Sequence, residues 1–505
     1  MKKINSALVS VYHKDRLDEI AKLLVANGIT IYSTGGTFDY IRGLGIDTQT
    51  VESLTLYPSI LGGRVKTLHP KVFGGILARR DNEQDLLQMT EYGIPEIDLV
   101  IVDLYPFEET MAQTTNEDEI IEKIDIGGIS LIRAAAKNFK DVVIVPSKAQ
   151  YNYLIDLLSE KKGFSSIEDR LYLAAEAFNV SSHYDSAIFG FFQQRSGVEA
   201  FKCSIGQKQE MRYGENPHQK GAFYGDLNQV FDQLHGKAIS YNNLIDLESA
   251  DNLVREFTEP TVAIVKHTNA CGIASRATAL EAWKDALAGD PISAFGGVIV
   301  TNCTIDLATA QEINKLFFEI ICAPAYHDDA LKVLESKKNR IILKRKPIEF
   351  KPVQFRSVLN GVLVQDKDLK SETVEDLKVV TSTNPDKAMI DDMLFANIIV
   401  KHTKSNAIVI VKNRQLIGNG VGQTSRVDST RQSIDKAHEF GFDLKGAVMA
   451  SDAFFPFADC VEIAHKAGIV AFIQPGGSIR DQDSIDYCNK NDLGMVFTGI
   501  RHFKH

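Results

Sequence analysis

Apolar and polar positions in the first 195 residues follow the alternation of strands and helices that is typical of an α/β protein. Short apolar runs at Ala7–Val11 and Ile29–Tyr32 predict strands, and apolar positions at helical spacing within Arg16–Ala26 predict a helix between them. Two further runs, Asp98–Leu104 and Val142–Val145, predict buried strands of a parallel sheet.

A helical pattern from about 149 to 194 ends in a polar, irregular segment, 193–209, which we interpret as a domain boundary. Beyond it, Pro260–Lys266 and Asn406–Lys412 are similar apolar runs that end in Val-Lys. Each precedes a glycine-containing loop and a strand with aromatic residues, so the second part is predicted to be a duplicated α/β unit. The Lys- and Arg-rich segment 335–352 is expected to be a surface excursion.

Composition excludes several classes of protein. The 505 residues carry a net charge of −10, with 56 basic and 66 acidic side chains, which argues against a nucleic-acid-binding surface. Six cysteines without CxxC spacing indicate neither a zinc site nor a redox dithiol and favour a reduced, cytoplasmic protein. No apolar stretch approaches the roughly 20 residues that span a membrane, and the N-terminus lacks a signal-peptide core.

Two glycine-containing segments of the first part have the composition of an anion site. The segment 61–70, LGGRVKTLHP, combines a glycine pair with Arg64, Lys66 and Thr67. The segment 33–37, STGGT, joins a predicted strand to a predicted helix, where free backbone N–H groups attract anions. Neither matches a specific nucleotide-binding motif, and each taken alone is equally compatible with a structural turn.

Three other polar residues of the first part are candidates for catalysis. Tyr105 follows a buried strand, at the carboxyl end where α/β sheets bind ligands. Asp125 precedes a glycine pair at the start of a predicted helix, and Lys137 lies on the same Ala-rich helix. A helix-start aspartate and a surface lysine are the ordinary alternatives, so only their occurrence in one small domain is suggestive.

In the second part, Lys266 and His267 follow a buried strand and form a candidate acid/base pair. A neighbouring ammonium favours the neutral imidazole that a base requires, although a purely structural histidine is the alternative. Arg212–His218 is a turn dense in functional groups, and Arg426 follows a glycine-rich loop. Aromatic residues lie between Asp452 and Asp459, which suits a flat heteroaromatic ligand or a core cluster.

Taken together, these motifs identify a resemblance that covers essentially the whole chain. It rests on GGRVKTLHPK at 62–71, LYPF at 104–107, IDIGG at 124–128, RAAAKN at 133–138, RYGENPHQ at 212–219, KHTN at 266–269, SAFGG at 293–297, SDAFFPF at 451–457 and QPGGSIRD at 474–481. The chain resembles the bifunctional AICAR transformylase/IMP cyclohydrolase family. The resemblance implies an α/β fold, with a methylglyoxal-synthase-like cyclohydrolase domain over 1–199 and a transformylase domain of two cytidine-deaminase-like subdomains over 200–505. It also implies a homodimer with shared transformylase sites.

The resemblance implies formyl transfer from 10-formyltetrahydrofolate to AICAR, followed by dehydrative ring closure to IMP. For formyl transfer it implies His267 as the base, Lys266 beside it, folate near Phe454 and Ser478, and Asn406 and Asp459 fixing the reacting groups. The nucleotide would be held by Arg212, Tyr213, Gly296, Arg426 and Arg501. For ring closure it implies Lys137 as the main proton donor and acceptor, assisted by Lys66, Tyr105 and Asp125. Phosphate and base would be held by Lys14, Ser33, Thr34, Gly35, Gly36, Arg64, Thr67, Asp103 and Gly127.

The deaminase zinc signature is absent, so no catalytic metal is expected, while a structural monovalent cation stays open. Four positions depart from the family pattern: Tyr12 and His13 replace the usual Ser-Asp, Asp103 replaces Asn, and Ala270 replaces Pro. The changes at Tyr12 and His13 put the contacts near Lys14 in doubt. We expect Asp103 to add a charge to the base pocket and Ala270 to loosen the loop after His267. Two other functions remain open at this point, a nucleotide-binding regulator without turnover and a deaminase-like hydrolase.

Overall fold

The computed structural model describes all 505 residues and divides them into two compact units, Met1–Gly206 and Gln207–His505. Both units are mixed α/β, so the predicted fold class is confirmed. None of the helices combines the length and the apolar character that crossing a membrane requires. All six cysteines are free thiols. The functional domains 1–199 and 200–505 stay a prediction.

The first unit is built on a five-stranded parallel sheet of order β4-β3-β2-β5-β6, and β1 pairs with β7 beside it. Its strands are β1 Lys2–Lys3, β2 Ser6–Ser10, β3 Thr30–Ser33, β4 Gln49–Thr50, β5 Leu99–Val102, β6 Val143–Val145 and β7 Phe164–Ser165. Its helices are α1 Leu17–Ala26, α2 Gly35–Gly43, α3 Val51–Thr55, α4 Pro70–Leu77, α5 Glu83–Glu91, α6 Phe107–Gln113, α7 Glu117–Ile121, α8 Gly127–Lys137, α9 Tyr151–Ser159 and α10 Ile167–Ser196.

The order of the parallel strands determines where this unit can bind a ligand. The chain runs from β2 to β3 on one side and later returns to β5 on the other side of β2. Loops that follow β2 and β5 therefore leave the sheet in different directions and open a crevice at its carboxyl edge. Residues 11–14 and 103–105, which contain several of the predicted site residues, occupy these two loops.

The predicted helical stretch 149–194 forms two helices, α9 and α10, with the short strand β7 between them. The first ends at Ser159, and the chain then turns through Gly163, whose φ of +76° lies in the left-handed region that glycine adopts without strain. The second begins with a capping box: the Ser166 hydroxyl accepts from the Asp169 amide, and the Asp169 carboxylate accepts from the Ser166 amide.

The second unit is built on a mixed sheet of twelve strands, of order β10-β15-β14-β13-β11-β12-β20-β19-β21-β22-β23-β18. Its strands are β8 Lys208–Glu210, β9 Ala222–Tyr224, β10 Phe231–His235, β11 Thr261–Lys266, β12 Asn269–Ser275, β13 Val298–Thr301, β14 Ile320–Ala323, β15 Ile341–Arg345, β16 Val353–Val358, β17 Gly361–Asp366, β18 Lys378–Val379, β19 Ile408–Lys412, β20 Gln415–Gly420, β21 Val448–Ser451, β22 Ala471–Gln474 and β23 Gly494–Phe497. Its helices are α11 Tyr241–Val254, α12 Ala279–Gly289, α13 Leu307–Ile313, α14 Asp328–Leu334, α15 Lys387–Lys401, α16 Arg426–Glu439, α17 Asp459–Ala467 and α18 Asp481–Lys490.

The strand order shows the predicted duplication directly. In each half a helix leads into an antiparallel hairpin, β11–β12 or β19–β20, and the first hairpin strand pairs with a third strand, β13 or β21. Two further parallel strands complete each half. The halves join through β12 and β20, which are antiparallel. One face of the sheet packs against α11 and α15, and the other packs against the remaining helices of each half.

The interpretation of segment 335–352 as a surface excursion is wrong for the middle of the segment. Ile341, Ile342 and Leu343 are fully buried, and β15 hydrogen-bonds to both β14 and β10. Only five residues separate the lysine-rich turn before this strand from the Lys-Pro segment after it. A run that short between charged flanks carries a weak apolar signal, although tertiary pairing makes it a core strand.

Candidate active sites

The first unit gathers most of its predicted site residues at the carboxyl edge of its sheet. No side chain caps α2, so the backbone N–H groups of Gly35 and Gly36 point into this crevice as anion donors. The Lys66 ammonium lies beside them, since a Cβ atom added to Gly35 would stand 3.9 Å from its Nζ. The predicted phosphate position thus has both a helix N-terminus and a cation.

Asp125 and Thr67 meet the N-terminus of α8 at the same crevice. The Gly128 amide donates to Asp125 Oδ1 at 2.6 Å, and a Cβ at Gly128 would stand 2.7 Å from Oδ2, so a larger residue here would displace the carboxylate. Burial raises the pKa of Asp125, and the charges of Asp103 and Lys66 act on it. A carboxyl that keeps its proton to higher pH beside a lysine is suited to proton transfer.

Tyr105 lies at the rim of this crevice, with its ring 5.6 Å from that of Tyr12 in an edge-to-face contact. The Lys123 ammonium stands over both rings. Partial burial raises the pKa of Tyr105, and Asp125 is near enough to add to that effect. An aromatic wall of this kind offers a flat ring system a surface to stack on.

The unusual residues at positions 12, 13 and 103 contact one another. The buried Asp103 carboxylate accepts hydrogen bonds from the amides of Tyr12 and His13, and its Oδ2 lies 2.9 Å from the His13 ring nitrogen Nδ1. The charge expected to enter the base pocket is therefore used to hold the loop that carries Lys14. Burial lowers the pKa of Lys14, whose ammonium donates to the Val11 and Tyr12 carbonyls.

Three predicted residues of the first unit occupy other positions than expected. Ser33 is fully buried and its hydroxyl donates to the Val9 carbonyl inside the sheet. Arg64 is exposed and pairs with Glu122, at the rim. Lys137 ends α8, about 15 Å along the helix axis from Gly127, and lines an apolar cavity with Phe73 and Phe178. The structure does not bring Lys137 together with Lys66 and Asp125.

In the second unit, His267 and Thr268 form the two-residue turn of the β11–β12 hairpin. Both have positive φ, +50° and +65°, which is the backbone of a type I′ turn and is strained for residues with a side chain. Asp246, on α11, accepts the Thr268 amide at 2.8 Å and also bonds the His267 amide. The imidazole is exposed, so a rigid turn presents it to a ligand.

The duplicated half contains the same arrangement, a hairpin turn held by an aspartate, at the opposite edge of the sheet. Asn413 and Arg414 form the β19–β20 turn with φ +53° and +52°, and the Asp392 carboxylate accepts both of their amides at 2.7 and 2.6 Å. Burial raises the pKa of both Asp246 and Asp392. Ala270, expected to loosen the first turn, is buried and its carbonyl accepts from Asn419, so the hairpin stays closed.

The pairing of β12 with β20 brings the start of β19 to the edge that carries His267. Asn269 Oδ1 accepts the Lys404 amide at 2.9 Å, which links the His267 turn to the segment before Asn406. The C-terminal residues cross the same place: Lys504 donates to the His402 carbonyl, and its backbone pairs with Ser405. The edge thus collects His267, Asn406 and the chain end that carries Arg501.

Arg426 has a different position from the one expected of a nucleotide ligand. It is buried and donates to Asn406 Oδ1 at 2.9 Å, to Ser451 Oγ at 2.9 Å and to the Asp452 carboxylate. The Asn406 amide is held at both ends, because its Nδ2 also donates to the Gln423 and Thr424 carbonyls. The second carboxylate oxygen of Asp452, Oδ2, is buried without a hydrogen-bond partner.

The remaining predicted residues lie around this edge or beside it. Lys266 donates to the Phe295 carbonyl at 2.9 Å, and Gly296 follows with φ +75°. Phe454 and Ser478 are accessible after β21 and β22, whereas Asp459 lines a separate cavity with Phe457 and Arg480. The remaining three, Arg212, Tyr213 and Arg501, are exposed or partly exposed.

Residues that the sequence reasoning missed are those that position the others. Asp246, Asn269 and Lys504 have no motif of their own, and only the tertiary contacts reveal them. A helix aspartate preceding each of two similar strands was the one signal available, because the same arrangement occurs at Asp392. No group of three or more His, Cys, Asp or Glu side chains is arranged to hold a metal ion.

Comparison with known proteins agrees with both units. Residues 16–130 match the family described as "MGS-like domain", and residues 135–436 match "AICARFT/IMPCHase bienzyme". Proteins named "Bifunctional purine biosynthesis protein PurH" are similar over their whole length. That of Bacteroides thetaiotaomicron is 63% identical over 100% of this chain and 99% of its own, and that of Aquifex aeolicus is 47% identical over 99% and 100%. The chain therefore belongs to the AICARFT/IMPCHase bienzyme family.

Proposed function

We propose that the two reactions of this bifunctional purine-biosynthesis enzyme use separate sites, ring closure in the first unit and formyl transfer in the second. The enzyme transfers a formyl group from 10-formyltetrahydrofolate to AICAR and closes the product to IMP. The observation that carries the assignment is that each unit has its own candidate acid/base groups, Lys66 and Asp125 in the first and Lys266 and His267 in the second. Membership of this family argues against both alternatives, a nucleotide-binding regulator without turnover and a deaminase-like hydrolase.

For formyl transfer, we assign His267 as the base that removes the proton from the 5-amino group of AICAR. That amine is conjugated with the ring and is a poor nucleophile, so it needs a base as attack proceeds. Lys266 lies next in the chain and is placed to stabilise developing negative charge. Asn406 orients the reacting groups, while Arg212 and Arg501 are proposed to hold the nucleotide phosphate and Arg426 acts by positioning Asn406.

For ring closure, we assign proton transfer to Lys66 and Asp125 rather than to Lys137. Lys66 and Asp125 share one crevice with the anion donors of α2, whereas Lys137 lies at the far, C-terminal end of α8. The reaction is intramolecular, so holding the formyl group against the carboxamide in a near-attack geometry supplies much of the rate. Tyr105 provides the wall on which the ring stacks.

We further propose a homodimer in which two chains complete each formyl-transfer site. Phe295 precedes β13 at the edge that carries His267, and Phe454 follows β21. The two strands are five positions apart in the sheet. At roughly 4.8 Å per strand this separates the two aromatic surfaces by about 24 Å in one chain. In a dimer, one surface from each copy would form a site, across a shorter distance than the one within a single chain. A structural monovalent cation near the unpaired Asp452 Oδ2 is part of this proposal.

Mixing two inactive variants tests the shared site. After subunit exchange, His267→Ala and Phe454→Ala together should recover formyl transfer, because some heterodimers contain one intact site. Each variant exchanged with itself is the control and should stay inactive. Sedimentation that shows a fully active monomer, or exchange without recovery, would reject the shared site.

Arg64→Ala should weaken IMP binding by about tenfold at low salt, since a charge-assisted contact to phosphate is lost, and less so at high salt. Glu122→Gln is the matched control, because it releases Arg64 from its ion pair and should leave IMP binding equal or tighter. Calorimetry on the full-length variants measures both. Unchanged affinity of Arg64→Ala at low salt would remove Arg64 from the site.

Asp246→Ala should lower kcat for formyl transfer by about 10- to 100-fold with little change in KM, because the His267 turn loses its anchor. Asp392→Ala removes the equivalent anchor from the Asn413–Arg414 turn and should leave kcat near that of the wild type. Steady-state kinetics with thermal melts compares the pair. Equal kcat losses would mean that the anchor acts on general stability and not on the site.

The pH profile of formyl transfer should reflect the same anchor. Burial raises the pKa of Asp246, so its carboxylate is protonated at a higher pH than an exposed aspartate as the solution is acidified. The anchored turn is therefore present above that pKa and is lost as the pH falls through it. The rate should fall earlier on the acid side in the wild type than in Asp246→Asn, which keeps an acceptor that does not titrate.

A further inference from the structure

Two of the positions that depart from the family pattern, His13 and Asp103, form an imidazole–carboxylate pair. His13 Nδ1 lies 2.9 Å from Asp103 Oδ2, and the same carboxylate accepts the backbone amides of Tyr12 and His13. A carboxylate that binds two amides acts only as an acceptor, so this hydrogen-bond pattern assigns the ring proton to Nδ1. In the neutral imidazole the other nitrogen, Nε2, is then left with a lone pair that can take a proton.

The open nitrogen of His13 is accessible to a ligand. The side chain of His13 is 29% exposed and that of Asp103 is 6% exposed, so the pair presents its ring and not its carboxylate to the outside. Nδ1 is bonded to Asp103, while Nε2 has no hydrogen-bond partner in the chain. An imidazole fixed by a buried carboxylate at one nitrogen and free at the other has the arrangement of the base in Ser-His-Asp triads.

This pair lies at the crevice to which ring closure was assigned. Its loop follows β2 at the carboxyl edge of the sheet, and the Tyr12 ring contacts the rings of both His13 and Tyr105, at 5.0 and 5.6 Å. Burial raises the pKa of Asp125, and the negative charge of Asp103 raises it further, so the two carboxyl groups are within electrostatic range of each other. His13 is therefore near the groups that would handle the substrate.

The two groups assigned to ring closure, Lys66 and Asp125, both supply protons. Ring closure joins the carboxamide nitrogen to the formyl carbon, and as that bond forms the formyl oxygen gains a proton and the nitrogen loses one. An ammonium and a carboxyl that keeps its proton can serve the oxygen, but neither can accept the proton of the nitrogen. The reaction therefore needs a base in the same crevice.

We propose that His13 is a further catalytic residue of ring closure, whose Nε2 removes the proton from the carboxamide nitrogen, and that Asp103 is the residue that positions it. This rests on the proposed ring closure in the first unit. As the C–N bond forms, the proton of the nitrogen passes to Nε2 and the formyl oxygen receives a proton from the acid. The imidazolium then gives its proton to the resulting hydroxyl, which leaves as water. The formamide nitrogen returns its proton to the acid as the C=N bond forms, so both groups regain their starting state.

Ring closure of supplied formyl-AICAR, assayed on full-length variants, tests this base. His13→Asn keeps an N–H donor toward Asp103 but cannot accept a proton, so kcat should fall about 10²-fold with little change in KM. In His13→Ala, imidazole added to the buffer should raise the rate about tenfold, because it can occupy the space of the lost ring and replace the missing base.

His183→Ala is the matched control. That histidine belongs to the same unit and also contacts a carboxylate, that of Glu108, but both of its ring nitrogens are bonded, the other one to Ser204. Its removal should leave kcat for ring closure near that of the wild type, and added imidazole should not change the rate.

A wild-type kcat in His13→Asn would mean that the ring only holds Asp103, and it would overturn the proposal. So would a His13→Ala variant that does not respond to imidazole. Lys66→Ala separates this failure from that of the proposed function. If Lys66→Ala loses ring closure while His13→Asn keeps it, the site stands and its base is not His13. If both variants keep ring closure, the assignment of ring closure to the first unit is wrong and the role of His13 is refuted with it.

Discussion

His267→Ala should lower formyl transfer by about 10²–10⁴, the usual effect of removing a positioned base, and leave ring closure of supplied formyl-AICAR nearly intact. His267 supplies the imidazole of the strained β11–β12 turn. Alanine removes that imidazole without giving the turn the added backbone freedom of glycine. Ring closure is unaffected because Lys66 and Asp125 belong to the other unit. The measurement is to assay the two half-reactions separately on the purified, folded variant.

The internal duplication supplies the control for this prediction. Asn413 occupies the same turn position in the second half, at the opposite edge of the sheet, and has nearly the same φ. Asn413→Ala therefore repeats the change in turn chemistry without touching the proposed site, and both activities should stay near those of the wild type. Loss of both activities in His267→Ala would contradict the two-site assignment and require strong coupling between the units.

Lys66→Ala should lower ring closure by about 10²–10⁴ while formyl transfer continues, so that formyl-AICAR accumulates when AICAR and 10-formyltetrahydrofolate are supplied. The lysine lies between the anion donors of α2 and the buried Asp125 carboxyl, whose raised pKa keeps a proton available. Losing the ammonium removes both a charge near the phosphate and a proton donor. Chromatographic quantification of formyl-AICAR and IMP over time measures the effect.

Lys137→Ala is the comparison that decides between the sequence-based assignment and the structural one. If proton transfer belongs to Lys66, ring closure in Lys137→Ala should stay within a few-fold of the wild type, because Lys137 lies about 15 Å along α8 from Gly127. A loss as large as that of Lys66→Ala, in a folded protein, would restore Lys137 to the catalytic role. It would also mean that the lysine reaches a site other than the crevice of its own chain.

The candidate site of the first unit was largely predictable, because its residues follow strands and begin helices within a short span of sequence. Parallel strands place their carboxyl ends at one edge, so residues after β2, β3 and β5 had to meet there. Lys137 was the exception. Its motif is adjacent to Asp125 in sequence, but a helix of eleven residues carries the two to opposite ends.

The candidate site of the second unit was less predictable, because long-range pairing assembles it. Arg426 was expected to bind a nucleotide and instead donates to Asp452, which follows β21, and to Asn406, which precedes β19. A guanidinium in a glycine-rich loop has the same sequence signature whether it faces a ligand or a buried carboxylate. Only the neighbour that the fold supplies decides between the two.

By itself, the sequence determined the α/β class, the duplication, the family and the identity of the groups able to do the chemistry, because hydrophobic period, turn residues and motif order are local properties. The tertiary structure alone decided that Asp246 anchors the His267 turn, that Asp103 holds the loop of Tyr12 and His13, and that β15 is a core strand. The physical reason is that a hydrogen bond or a strand pair between distant segments depends on which surfaces the fold brings into contact, and neither the spacing nor the composition of either segment specifies its partner.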